Sequence, residues 1–143
     1  MPVPVMKPMA ETIDAYFLRC NEGVQYRGYI APIENSLEAL QSYVGGLIEA
    51  VSLTPQIVVV CNEEGKLFQL PFNRALKAEA QVQDYFVGDI LCLRQSGDEF
   101  AGIEPEDIAE IEQRLIPLKS VVRTRDYLLF TMFPADCCPE YHE

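Results

Sequence analysis

Ile57-Val58-Val59-Val60-Cys61 is the longest apolar run in the chain, and four of its five residues are β-branched. A segment without a polar face predicts a strand inside a sheet that is covered on both sides. Leu47 to Leu53 reads as a strand before it. Asn62-Glu63-Glu64-Gly65 reads as a hairpin turn with glycine last, and Lys66 to Leu70 as its return strand. Pro71-Phe72-Asn73-Arg74-Ala75-Leu76 reads as a short helical or turn segment. Gln83 to Val87 leads to Gly88, and Asp89 to Leu93 is a further strand.

The pattern extends outward in both directions. Ile13 to Cys20 reads as a strand, Asn21-Glu22-Gly23 as a turn, and Val24 to Ile30 as the return strand, ended by Ala31-Pro32. Asn35 with Glu38 three residues on predicts a helix start, and Leu37, Leu40 and Val44 share one helical face. Gly45-Gly46 stops that helix, because glycine accepts the left-handed conformation of a helix end. Pro105 suits the first position of a second helix opened by Glu104-Pro105-Glu106-Asp107. Ile103 and Ile108 are spaced as a hydrophobic staple, Ile108, Ile111 and Leu115 form the buried stripe, and Pro117 ends the segment. Asp126 to Phe133 is the last strand candidate. About six or seven strands and two helices, joined mainly by hairpins, predict an α+β fold with a mainly antiparallel sheet. The domain plan is an extended Pro-rich arm over 1–11, one globular domain over 12–133 and an acidic tail over 134–143.

The chain has 143 residues, enough for one domain that buries about two-thirds of its surface on folding. Its 22 acids against 11 bases give a formal charge of −11. Such a chain is a poor neutraliser of nucleic-acid phosphates and is repelled by anionic membranes. The partners expected are proteins with basic surfaces, cations or neutral ligands held in a local pocket. No apolar run is long enough to span a bilayer, and three prolines among the first eight residues break a signal-peptide helix. A cytoplasmic protein is expected. The single histidine, His142, excludes most histidine-based chemistry, and neither a phosphate-binding loop nor a dinucleotide fingerprint is present. Of the five cysteines, Cys20, Cys61 and Cys92 sit in strand-like runs and read as buried reduced thiols. Cys137-Cys138 with His142 has no C-x-x-C spacing, so no metal and no other cofactor is expected.

Two groups of residues stand out as sites. Asp98, Glu99, Glu104, Glu106, Asp107, Glu110 and Glu112 fall within fifteen residues that contain no base. At helical rise that is about one charge per 3 Å, the density of a single nucleic-acid strand. Within it Asp98, Glu99, Glu106, Asp107 and Glu110 are the candidate protein-binding face. The structural alternative is a solvated helix face whose first-turn acids complement the helix dipole. The second group is Asn73 and Arg74, a candidate clamp for a carboxylate or phosphate, against the alternative that the pair satisfies loop carbonyls. Gly45-Gly46 reads as a helix end, which is a poor phosphate site. Tyr16, Tyr26 and Tyr29 are placed to meet across the first hairpin. No residue is assigned a catalytic role.

Ile33-Glu34-Asn35-Ser36-Leu37-Glu38-Ala39-Leu40-Gln41 followed by Val44-Gly45-Gly46 and Ile48-Glu49 is similar to the start of a family of domains of unknown function, numbered 3846. Cys61 to Leu67 with Leu70 to Leu76 resembles its second block, and Val87-Gly88-Asp89-Ile90-Leu91 its third. The resemblance covers about residues 28–115. It implies a cytosolic protein of bacterial phages or other mobile elements, with no established chemistry. The Ile13 to Cys20 strand and everything after Pro117 then count as additions. Together these readings predict a non-enzymatic acidic protein that engages a basic surface of a host protein, inhibiting a nucleic-acid-handling defence system. It makes no direct nucleic-acid or membrane contact, and its oligomeric state, a homodimer included, stays open. The alternative is a small-ligand or nucleotide-binding domain that uses Asn73 and Arg74.

Overall fold

The computed structural model describes residues 11–134 and 136–142. The arm expected over residues 1–11 lies, apart from Glu11, outside the described residues. Twelve strands and two helices follow in the order β1 (Thr12–Leu18), β2 (Cys20–Asn21), β3 (Val24–Gln25), β4 (Tyr29–Glu34), α1 (Leu37–Val44), β5 (Ile48–Ser52), β6 (Ile57–Asn62), β7 (Phe72–Ala78), β8 (Gln81–Val87), β9 (Ile90–Ser96), β10 (Glu99–Ala101), α2 (Asp107–Arg114), β11 (Leu115–Arg123) and β12 (Leu128–Met132). The fold is α+β and dominated by sheet, with every strand pair antiparallel. The larger sheet runs β4-β1-β9-β6-β5, with β10 also paired to β9. A second sheet runs β12-β11-β7-β8, and β2-β3 form a small ribbon. No helix among the described residues is long and apolar enough to cross a membrane.

The reading of residues 57–61 holds. All five are buried, and alternate side chains enter two different cores. Val58 and Val60 join Ile13, Ala15, Phe17, Leu91 and Leu93 under Leu40 and Val44 of α1. Ile57, Val59 and Cys61 join Tyr16, Leu18, Ile90 and Cys92 against Leu76 and Phe86 of the second sheet and Ile111 of α2. Five apolar residues in a row are therefore a strand between two layers.

Helix α1 starts one residue later than expected. Ser36 accepts from the Ala39 amide at 3.2 Å, while Asn35 donates from Nδ2 to the Phe100 carbonyl. Gly45 ends the helix at φ 82°, where a side chain would be strained. Asp107, the first residue of α2, accepts from the Glu104 amide at 2.9 Å and so ties down the turn that enters the helix. Cys61 and Cys92 are buried and reduced, Cys20 is half-buried, and desolvation pushes all three thiols up to about 12.

Four local expectations need correcting. Lys66 to Leu70 is a series of turns, and β6 pairs with β5 and β9 instead. Pro71 to Leu76 is not helical, since Phe72–Ala78 is strand β7. Ala31-Pro32 does not end the fourth strand, because proline is tolerated on an outer edge. Pro117 ends no element. It lies within β11, opposite Arg74 of β7, and after it β11 pairs with β12.

Candidate functional site

The ladder between β7 and β8 slips between Phe72 and Arg74, so Asn73 is an extra residue without an opposite partner. A bulge of this kind re-aims side chains. Asn73 is fully buried. Its Nδ2 donates to the carbonyls of Leu18 (2.9 Å) and Gly88 (2.8 Å), and its Oδ1 accepts from Arg74 Nη1 at 2.8 Å. Asn73 is thus spent on joining β7 to β1 and to the β8–β9 turn, with both its amide groups engaged within the fold.

Arg74 differs. It is 4% exposed, and its Nη2 donates to the Tyr26 carbonyl at 2.8 Å. Among the described residues it has no acidic partner within 4 Å. Burial lowers its pKa, but a guanidinium this far above neutrality keeps its charge. Taking a lone charge out of water costs several kcal/mol, on the order of what a well-placed counter-ion returns. Arg74 lines a cavity of about 180 Å³ together with Tyr16, Arg27, Gly28, Glu112 and Cys138. That volume is about six waters.

Two more of the lining residues form a hydrogen-bonded pair. The Tyr16 hydroxyl, on β1, donates to Glu112 Oε1, on α2, at 2.6 Å. Burial, then the Glu112 carboxylate, push the Tyr16 hydroxyl well above its ordinary value, so it stays a donor. Gly28 makes room for that ring, because a Cβ there would lie 2.1 Å from Tyr16 Cζ. The cavity thus has a buried cation, a carboxylate and a second cation, Arg27, in its lining.

Residues 136–142 help close this side of the molecule. Pro139 accepts from the Arg27 amide at 2.8 Å, Glu140 pairs with Arg27 at 3.6 Å, and Cys138 lines the cavity. Tyr141 stacks on Tyr29 at 5.6 Å and meets Tyr26 edge-on at 5.3 Å, with the Arg19 guanidinium 4.7 Å from its ring. Tyr26 and Tyr29 therefore converge on the tail, while Tyr16 points through the sheet to the other core.

Three of the seven acids in the stretch are spent on the fold. Asp107 is buried and forms two 2.7 Å bonds with Arg94 in addition to its contact with the Glu104 amide. The Arg94 contact, opposed by burial, holds its carboxyl below the ordinary 3.8. Asp107 is therefore withdrawn from any binding face. Glu110 pairs with Arg114 at 3.5 Å along the helix, and Glu112 belongs to the cavity. Asp98, Glu99 and Glu106 remain exposed, without an ion pair among the described residues.

Sequence reasoning singled out Arg74, Glu112 and Tyr16 in three separate lists and had no means of joining them. Gly28 carried no signal at all, because its role depends on a ring twelve residues away in the chain.

An α+β protein with a small charged cavity between its two sheets is the class that these features define. The model of a family described as a domain of unknown function (DUF3846) matches residues 17–116, and the chain belongs to that family. The match begins within β1, so part of the Ile13 to Cys20 strand is family sequence, while β12 and nearly all of β11 lie beyond it. No curated protein and no solved structure matches the chain.

Proposed function

We propose that this protein binds a small anionic ligand, a carboxylate or phosphate, with the anion on Arg74 and a donor group of the ligand on Glu112. The observation that carries this reading is Arg74 itself, a buried guanidinium without a carboxylate partner at the wall of a cavity. Charge-assisted bonds to a guanidinium are the strong ones, and their strength rises out of water. The volume limits what is enclosed to a small molecule or one end of a larger one, since drug-sized ligands need about 300 Å³ or more. A whole nucleotide fits this space poorly. Among the described residues Glu112 is the one carboxylate in the lining, which favours binding over paired-carboxylate chemistry.

The experiment is thermal melting with a panel of small mono- and dicarboxylates and phosphate esters. A ligand at a hundred times its dissociation constant stabilises the fold by about 2.7 kcal/mol. At least one compound raises the melting temperature of the native chain, and Arg74→Met abolishes the response. A panel without effect, or an equal response from Arg74→Met, overturns the reading.

A second reading keeps the acidic face as a contact for a basic host protein. What favours it is that Asp98, Glu99 and Glu106 are exposed and free of ion pairs among the described residues. Its test is co-purification from host lysate with all three neutralised. Loss of a salt-sensitive partner supports the reading, and unaltered capture removes the face from consideration.

A further inference from the structure

We infer that the hairpin of β11 and β12 is a dimer interface, at which β12 pairs with β12 of a second copy of this chain. An unpaired strand edge offers a row of free N–H and C=O groups, and proteins blunt such edges with charges, proline or short length. The other outer edges here follow that rule. Strand β4 carries Pro32 and Glu34, β5 carries Glu49, β8 carries Asp84, and β10 is three residues long. Strand β12, Leu-Leu-Phe-Thr-Met, carries none of these devices, and among the described residues only β11 pairs with it.

The side chains point the same way. Val122, Tyr127, Leu128, Leu129 and Met132 are exposed by 53%, 61%, 37%, 49% and 37%. Val122 and Leu129, directly opposite in the register, share one face of the hairpin, and Leu128 and Met132 share the other, so β12 exposes apolar side chains on both sides of its free edge. Pairing with a second β12 covers the free edge and the apolar side chains that flank it on both faces.

Charge selects where two such acidic chains can meet. Residues 118–132 hold Lys119, Arg123 and Arg125 against the single acid Asp126, in a chain with twice as many acids as bases. β12 itself is uncharged, so pairing with another β12 sets no carboxylate against a carboxylate. Antiparallel pairing of β12 with itself is a closed two-fold contact, which does not propagate into fibres. It joins two four-stranded sheets into one. The segment also lies beyond the family match, which ends at residue 116, so the interface belongs to this chain's own extension.

The test is light scattering coupled to size-exclusion chromatography on the full chain, from low micromolar concentration upward. The native chain gives a mass near twice 16.2 kDa. The double variant Leu128→Lys/Leu129→Lys, at exposed positions, gives the monomer mass with an unchanged circular dichroism spectrum. The control Leu67→Lys, at a residue 75% exposed on another loop, stays dimeric. Backbone amides of residues 128–132 in the native chain exchange more slowly as concentration rises. A native monomer throughout overturns the proposal and leaves the edge to a different partner. A dimer that survives the double variant, or whose β12 amides exchange independently of concentration, overturns it as well.

Discussion

Residues 98–112 and the bulge at residues 73–74 make opposite use of charge. The first carries the densest charge in the sequence, yet Asp107, Glu110 and Glu112 all have partners in the fold. The second carries one charge in an apolar strand, and that charge has no counter-ion among the described residues. Recognition depends on the charge left over after folding, in a place where water does not screen it. Seven acids in fifteen residues say less about binding than one buried arginine beside a cavity.

Four variants break or sharpen this contrast, in falling order of effect. Arg74→Met removes the buried charge while keeping length. It weakens binding of any ligand found in the panel by at least about 100-fold, near 2.7 kcal/mol, read by calorimetric titration. Gly28→Ala forces Tyr16 aside and spoils its bond to Glu112. It destabilises the fold by about 1–3 kcal/mol in urea unfolding, the usual cost of overpacking, and weakens the same ligand.

Asp107→Asn acts on the other region. It replaces the charge-assisted bonds to Arg94 with at best one neutral bond, and costs about 1–2 kcal/mol at neutral pH. Its pH profile follows from the lowered carboxyl of the native fold. The unfolded chain takes up the proton first as pH falls, so the stabilisation is complete above the ordinary 3.8 and fades as pH drops through the lower folded value. The gap between native chain and variant, measured by urea unfolding, therefore narrows below about pH 4. Last, neutralising Asp98, Glu99 and Glu106 together changes stability by no more than about 0.5 kcal/mol per site, because none has a partner to lose.

What could be read from the sequence divides along the same line. Strand β6 and the Gly45 helix end are local: an unbroken β-branched run and a glycine after a periodic stripe each have one physical solution. Strand β7 does not announce itself, because Pro71 with Asn73 and Arg74 interrupts any alternation, and the bulge that turns Asn73 and Arg74 inward comes from pairing with β8. Strand β11 was missed because Pro117 normally ends an element, yet here it sits where β11 changes partners. The cavity joins β1, the β3–β4 connection, β7, α2 and the tail, so its charge balance exists only after the chain has closed on itself.

The central claim is that Arg74 is an anion site. Arginine side-chain NMR, with the Nε–Hε signals assigned by single substitution, tests it most directly during titration with the best anion of the panel. The account predicts that the Arg74 signal shifts and saturates with the ligand while those of Arg94 and Arg114, already held by carboxylates, stay in place. A still Arg74 signal beside moving surface arginines would contradict it.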